Sequence, residues 1–327
     1  MTATRICVAI AAIAAALALA GPASATYSGQ NGRVAWHSNG DIYVTNPERS
    51  QYLKLNDAGL DSYSPALSPN GRAIAVSAQK AGFSAQLIVV ALPKTGFPSK
   101  IKAKFPTKKL MKKKLLTARH PTWSPNGKKL AFVCVDQKHL RYELCVIDLK
   151  KKKMKTITHC DCTNIRKDSR PEWSPKGDRI AFSSGTYIYT VSPKGKNFRK
   201  ILDPSQSGGQ FANYWYPSWS PDGTKLLFSG DGLDNADVLV ANADGSGRQV
   251  IFKESRDPDG ANRYPAWAVW QPDGTGYMLN TYTRNSPEQL VSGTYSGGVF
   301  GPPNDVVSVV DPQELNDPQP VWGPAAK

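Results

Sequence analysis

The feature that most constrains this chain of 327 residues is a repeat built on the motif Pro-x-Trp-Ser-Pro-x-Gly. The motif is clearest as PTWSPNGKKLAF (121–132), and altered copies of it extend towards the C-terminus. The leading prolines are Pro65, Pro121, Pro171, Pro217, Pro265 and Pro320. Their spacing of 46 to 56 residues is typical of a β-propeller, in which each repeat forms one blade of four short strands.

Each part of the motif predicts a local structure. Apolar and polar residues alternate around Trp123, which indicates a half-buried strand. The Ser-Pro-Asn-Gly that follows predicts a tight turn, because Asn and Gly tolerate a left-handed backbone. Apolar segments at 130–132, 142–149 and 154–158 then predict the second, third and fourth strands of the blade. We expect the repeated tryptophans to pack between neighbouring blades, where a large ring buries much apolar area. They are Trp123, Trp173, Trp219 and Trp267.

The first residues of the chain have the pattern of a secretory signal peptide. Arg5 precedes an apolar segment at 7–20, and Ala-Ser-Ala at 23–25 fits the small-residue cleavage rule. The apolar segment is short for a membrane span. We therefore expect cleavage near Ala25, a secreted or periplasmic protein, and a single propeller domain over 26–327.

The two ends of the domain are expected to complete one blade together. Residues 31–57 contain three strand-like segments but lack the Pro-x-Trp strand, which DPQPVWGP (317–324) supplies. A last strand that joins the first blade would close the ring and remove exposed sheet edges. One blade for each motif proline gives six blades. Their expected bounds are 27–60 with 317–325, 61–117, 118–167, 168–212, 213–261 and 262–316.

These repeats resemble the TolB-type, WD-like β-propeller repeats. The resemblance rests on the Pro-x-Trp-Ser-Pro-x-Gly motif and on SPKGKNFRKI (192–201) and NADGSGRQVI (242–251), which match the family's turn between the third and fourth strands. It extends over essentially the whole expected mature chain and implies an all-β propeller. The family's best-studied member carries an α/β domain before the propeller. We expect no such domain here, because the first expected blade begins at residue 27.

The residues just before each motif proline should surround one mouth of the central channel. Aromatic residues and arginines are enriched there, and both are typical of binding hot spots. We predict a ligand site in which the arginines favour an acidic group; the alternative is that these side chains cap blade ends. The predicted site residues are Tyr63, Arg119, His120, Arg170, Trp215, Tyr216, Arg263 and Tyr264, and the accompanying positions are Ser64, Ser169, Pro318 and Gln319.

The positive charge of the chain is concentrated between residues 94 and 155. This segment has 19 Lys and Arg against three acidic residues, and the whole chain has a net charge of +15. One alternative is a solvated loop whose charge aids solubility. The other is a basic face that contacts anionic wall polymers or phospholipid headgroups; nucleic acid is the weaker option for an exported protein. The residues of this basic face are Lys102, Lys104, Lys108, Lys109, Lys112, Lys113, Lys114, Lys151, Lys152 and Lys153.

Four cysteines follow the expected cleavage site, which in an oxidising compartment indicates disulfides. A hairpin that turns between residues 139 and 140 would place Cys134 directly opposite Cys145, within bonding range. We predict this bond.

The remaining pair, Cys160 and Cys162, lies in the sequence HCDC. These cysteines either bond to each other or pair with the first two. With His159 they supply three potential metal ligands, but a tetrahedral zinc site needs a fourth. We expect a disulfide role for both cysteines, no metal and no cofactor.

Enzyme motifs provide no positive signal. Neither G-x-S-x-G nor H-E-x-x-H occurs, and the histidines are scattered along the chain. The sequence favours an exported, monomeric, non-catalytic scaffold that binds an envelope protein, a peptide or an anionic ligand at the channel mouth. Two alternatives remain open: an enzyme that acts on glycan or peptide in the channel, and attachment to anionic polymer or lipid through the basic face of residues 94–155.

Overall fold

The computed structural model describes a chain that is almost entirely β-strand. The residues described are 31–38, 40–46, 50–55, 60–80, 84–96, 115–136, 140–158, 165–166, 169–231, 236–253, 255–256, 262–283, 286–302, 305–306 and 321–324. Among them no helix is long and apolar enough to cross a bilayer. The predicted signal peptide lies outside the described residues.

The strands form six antiparallel sheets, which are the six blades. Blade one begins with β1 (Asn31–Ser38), β2 (Asp41–Thr45) and β3 (Tyr52–Lys54), and blade two has β4 (Leu60–Leu67), β5 (Ala73–Lys80) and β6 (Gln86–Ala91). Blade three has β7 (Leu115–Trp123), β8 (Lys129–Asp136), β9 (Tyr142–Asp148) and β10 (Lys153–Thr156). Blade four has β11 (Glu172–Trp173), β12 (Ile180–Ser184), β13 (Tyr187–Val191) and β14 (Arg199–Leu202).

A short 3-10 turn (Pro204–Ser207) connects blade four to blade five. Blade five has β15 (Asn213–Trp219), β16 (Lys225–Asp231), β17 (Ala236–Asn242) and β18 (Gln249–Phe252). Blade six has β19 (Ser255–Arg256), β20 (Asn262–Trp270), β21 (Gly276–Thr283), β22 (Ser286–Ser296), β23 (Val299–Phe300) and β24 (Asp305–Val306). The last strand is β25 (Val321–Pro324).

The ring is closed by pairing of the two ends of the chain. Strand β25 lies antiparallel to β1, with Val34 opposite Trp322 and Ala35 opposite Val321. The innermost strands also contact one another around a closed ring. Each contacts the next in the order β25, β4, β7, β11, β15 and β20, and β20 contacts β25. The predicted six-bladed propeller, closed by the C-terminal strand, is therefore confirmed. These six strands line the central channel.

The repeated tryptophans occupy the contacts between blades. Trp123 is buried in a cluster with Ala75 and Leu87 of blade two, and its indole N–H donates to the carbonyl oxygen of Ala66 at 2.9 Å. Trp219 is fully buried and its indole N–H donates to the carbonyl oxygen of Glu172 at 3.2 Å. The rings of Trp123 and Trp219 thus bury apolar area and satisfy their one polar group on the preceding blade, whereas the indole N–H of Trp173 is buried without a hydrogen-bond partner among the residues described. The side chain of Trp267 lies outside the described residues.

The Ser-Pro-x-Gly turns are stacked from blade to blade. In blade three the Ser124 hydroxyl accepts a hydrogen bond from the Lys129 N–H at 2.9 Å and closes the turn. Gly177 has a φ of 74°, and a Cβ on it would lie 3.6 Å from Cγ of Pro125, in the preceding turn. Gly223 meets Pro175 of blade four in the same way, at 3.2 Å. The motif glycine therefore allows the left-handed backbone in both turns, and at Gly223 it also allows the close approach of the preceding proline.

The predicted disulfide between Cys134 and Cys145 is present, with Cα atoms 5.9 Å apart. The predicted register was wrong, however, because Cys134 is opposite Glu143 and Cys145 is opposite Phe132. The hairpin turns one residue earlier than expected, so the two cysteines are diagonal neighbours on the same face of the sheet. Diagonal positions are still close enough for side chains to meet. Cys160 and Cys162 lie outside the described residues.

Candidate functional site

The residue before the motif proline lies at a β-bulge in three of the channel-lining strands. In β4, β7 and β15 the register breaks around this residue and the proline itself. At each break the backbone is left-handed, with φ of 55° at Ser64, 52° at His120 and 55° at Tyr216. None of these residues is glycine, so each such backbone costs roughly 1–2 kcal/mol. Bulges of this kind redirect a side chain and are frequent beside functional sites.

One pair of these residues connects blades two and three. The Ser64 hydroxyl and Nδ1 of His120 share a hydrogen bond of 2.6 Å. The backbone N–H of His120 donates to the Ser77 hydroxyl at 3.1 Å. Beside it, the guanidinium of Arg119 donates to Oε1 of Gln79 at 3.4 Å. Side chains from two adjacent blades thus form one polar cluster on the channel-lining strands β4 and β7 and the second strand β5.

A second pair connects blades four and five. The guanidinium carbon of Arg170 lies 5.1 Å from the ring centroid of Tyr216, which is a cation–π distance. The Tyr216 ring is itself 6.3 Å from the ring of Trp215. The contact with the ring restricts the guanidinium, so fewer rotamers are lost when it binds a planar anion.

The predicted site residues that the structure describes are therefore brought together in pairs. Arg119, His120, Arg170, Trp215 and Tyr216 are all half-buried. Arg119 and His120 lie part-way along β7 (Leu115–Trp123), Trp215 and Tyr216 lie part-way along β15 (Asn213–Trp219), and Arg170 precedes β11. The backbones of three further positions lie on β4 and β20, but their side chains are outside the described part of the chain; these are Tyr63, Arg263 and Tyr264. Pro318 and Gln319 also lie outside it.

The sequence analysis did not identify Ser77 and Gln79, two residues on the second strand of blade two. They accept the hydrogen bonds from the His120 N–H and the Arg119 guanidinium. They are two residues apart on β5, so they share one face of the sheet. Polar residues at alternate positions of an otherwise apolar strand were the available signal. Their partners are 40 and 43 residues further along the chain, and only the stacking of blades connects them.

The basic face is described only in its blade-three part. Lys151 and Lys152 are exposed in the connection between β9 and β10, and Lys153 is exposed at the start of β10. The N–H of Lys151 donates to the Asp148 carboxylate at 2.7 Å, and this hydrogen bond is the main cause that lowers the pKa of Asp148. The other predicted residues of this face lie outside the described residues. They are Lys102, Lys104, Lys108, Lys109, Lys112, Lys113 and Lys114.

Comparison with known proteins identifies the architecture. No family model matches the sequence. The chain is 26% identical to "Uncharacterized protein Atu1656" of Agrobacterium fabrum over 228 residues, which are 66% of this chain and 68% of that protein.

Among solved structures, TolB from Acinetobacter baumannii is similar with a TM-score of 0.62 and 17% identity, over 98% of this chain and 73% of that one. Oligogalacturonate lyase from Vibrio parahaemolyticus is similar with a TM-score of 0.53 and 13% identity, over 85% of this chain and 78% of that one. One fold can carry unrelated activities, so the function of this chain has to be inferred from its site. The chain has the TolB-like, six-bladed β-propeller fold.

Proposed function

We propose that this protein is an exported, non-catalytic binding scaffold whose channel-lining strands recognise an acidic group of an envelope protein, a peptide or another anionic ligand. The observation that carries the proposal is the pairing of pre-proline residues between neighbouring blades. Arg170 is stacked on Tyr216, and Ser64 is hydrogen-bonded to His120.

Two physical features support a binding role. His120, Arg170 and Tyr216 are half-buried, so a ligand that covers them would desolvate them fully, as happens to hot-spot residues in interfaces. The left-handed backbones of Ser64, His120 and Tyr216 cost free energy that an ordinary strand residue would avoid. A stacked arginine is also well placed for a bidentate pair with a carboxylate.

Export is supported by two features of the chain. The first is the signal-peptide pattern ahead of residue 26. The second is the bond between Cys134 and Cys145, because disulfides form and persist mainly in oxidising compartments. Both agree with a periplasmic or extracellular location.

The test is affinity capture of envelope extract on the immobilised mature protein, beside the double variant Arg170→Ala/Tyr216→Ala. A channel-bound partner should be retained at high salt and should bind the variant about 10- to 100-fold more weakly. The matched control is Tyr187→Ala/Lys200→Ala, which removes a cation–π pair of 4.5 Å in blade four. Equal binding by all three proteins, or equal loss in both variants, would contradict the proposal.

A second candidate is an enzyme that acts on peptide or glycan, favoured by the contact of 2.6 Å between the Ser64 hydroxyl and the His120 ring. A serine hydroxyl next to an imidazole can lose its proton to it and act as a nucleophile. The fold is compatible with this role, since oligogalacturonate lyase shares it. Turnover of a peptide or glycan panel that disappears in Ser64→Ala, while the melting temperature stays unchanged, would favour the enzyme over the scaffold.

A further inference from the structure

A cleft of about 350 Å³ lies between blades three and four, away from the channel-lining pairs described above. The connections between first and second strands and between third and fourth strands lie at one end of each blade, because consecutive strands are antiparallel. The cleft is formed by these connections. Its lining includes Asn126, Lys129, Trp173, Asp178, Pro193 and Lys194.

The walls of this cleft are held together by contacts between the blades. The ammonium group of Lys155, on β10, donates to the carbonyl oxygen of Lys194 at 3.0 Å. In the same turn, a Cβ on Gly195 would lie only 2.7 Å from the carbonyl oxygen of Ile157, so blade four closely approaches the backbone just after β10. The cleft is therefore a defined feature of the packed blades.

The charge around the cleft is positive. Its one acidic lining residue, Asp178, forms an ion pair with Arg179 at 3.3 Å and accepts a hydrogen bond from Ser174. Within the described part of the chain none of the surrounding lysines forms an ion pair with a carboxylate. These lysines are Lys128, Lys129, Lys150, Lys151, Lys152, Lys153, Lys155, Lys176, Lys194 and Lys196.

The lysines belong to one surface. The N–H of Leu149 donates to the carbonyl oxygen of Lys128 at 3.0 Å, which places the lysines of the β9–β10 connection beside the first turn of blade three. Lys155 reaches the turn of blade four through Lys194. We call these lysines and the cleft the interblade lysine surface.

We propose that the interblade lysine surface binds a linear polymer with repeated phosphate or carboxylate groups. Lysine ammonium groups are strongly hydrated point charges that bind anions without demanding one geometry. A row of them around a cleft suits a flexible chain with many anionic groups, because each contact releases counterions.

A membrane surface fits this region less well. In the described residues the exposed large apolar side chains are Leu140 and Val299, at 70% and 69% exposure. Leu140 lies in the β8–β9 connection, at the opposite end of blade three from the lysines. The described lysine surface therefore offers no large apolar side chain for insertion between lipids.

The experiment measures binding of the full mature chain to long-chain polyphosphate and to polygalacturonate at several salt concentrations. The variant is Lys129→Ala/Lys194→Ala, and the control with the same loss of charge is Lys54→Ala/Lys253→Ala, two exposed lysines of other blades. We expect the first variant to weaken polymer binding by roughly tenfold and to reduce the slope of log Kd against log salt by about one to two. The control should behave as the unmodified protein does.

The arms of the experiment separate the outcomes. Preference for one polymer identifies phosphate or carboxylate as the recognised group and supports the proposal in either case. Equal weakening by both variants would show that net charge alone attracts the polymer, and would overturn the proposal. Vesicles of anionic phospholipid that bind as tightly as the polymers, with the same sensitivity to the first variant, would overturn it in favour of a membrane.

Discussion

At the scale of single residues, the unusual feature is a left-handed backbone occupied by large or polar side chains. Ser64, His120 and Tyr216 share it because each precedes the motif proline at a bulge in an inner strand. A glycine would adopt this conformation without the steric cost. In this chain the left-handed positions are instead occupied by residues that contact the neighbouring blade.

This conformation predicts that the usual order of stability of an Ala and a Gly variant is reversed. At Tyr216, replacement by Gly should leave the protein more stable than replacement by Ala, by about 1 kcal/mol, because only Ala retains the left-handed strain. Tyr189, in the regular strand β13 (Tyr187–Val191), is the control. There Gly should be worse than Ala by about 0.5–1 kcal/mol. Denaturant unfolding of the four variants measures both differences, and the same ranking at both positions would refute the expectation.

At the scale of elements, the turns between strands are where one blade approaches another. Gly177 and Gly195 have similar backbones, with φ of 74° and 78°. They differ in the space around them. A Cβ on Gly177 would be in ordinary contact with a proline side chain, whereas a Cβ on Gly195 would lie 2.7 Å from the carbonyl oxygen of Ile157, just after β10.

The two glycines should therefore respond differently to alanine. Gly177→Ala should cost about 1–2 kcal/mol of unfolding free energy, the cost of a left-handed alanine. Gly195→Ala should cost a further 1–3 kcal/mol or so, because the backbone at Ile157 has to move. Urea unfolding of the two variants gives the comparison. Equal losses would mean that the turn of blade four can move away from β10 freely.

At the scale of the whole molecule, stability depends on closure of the ring. Strand β25 pairs with β1 and contacts β4 and β20, so it joins three blades. Without it, β1 would become an exposed edge strand and the ring of inner strands would be open.

Truncation tests this dependence. Removal of residues 321–327 should lower the unfolding free energy by at least about 4 kcal/mol and promote association through the free edge of β1. Removal of 325–327 alone leaves β25 whole and should change little. Thermal unfolding and size-exclusion chromatography provide the readouts. A monomeric truncated protein with an unchanged melting temperature would show that blade one holds without its inner strand.

The amino-acid sequence by itself determined the all-β class, the six blades, the closure by the C-terminal strand and the bond between Cys134 and Cys145. These features depend on local chemistry repeated along the chain: alternation of apolar residues, turns that need Gly or Asn, and cysteines in one hairpin. The positions before the motif prolines were also identifiable, because the repeat places them in register.

Only the tertiary structure decided which of these residues meet. The contacts of His120 with Ser64, and of Arg170 with Tyr216, join residues 56 and 46 positions apart on different blades. The register of the disulfide hairpin and the interblade lysine surface were likewise decided by packing. Local pattern specifies the conformation of each blade, but the distance between side chains of two blades depends on how the blades stack around the axis, which is a property of all the contacts together.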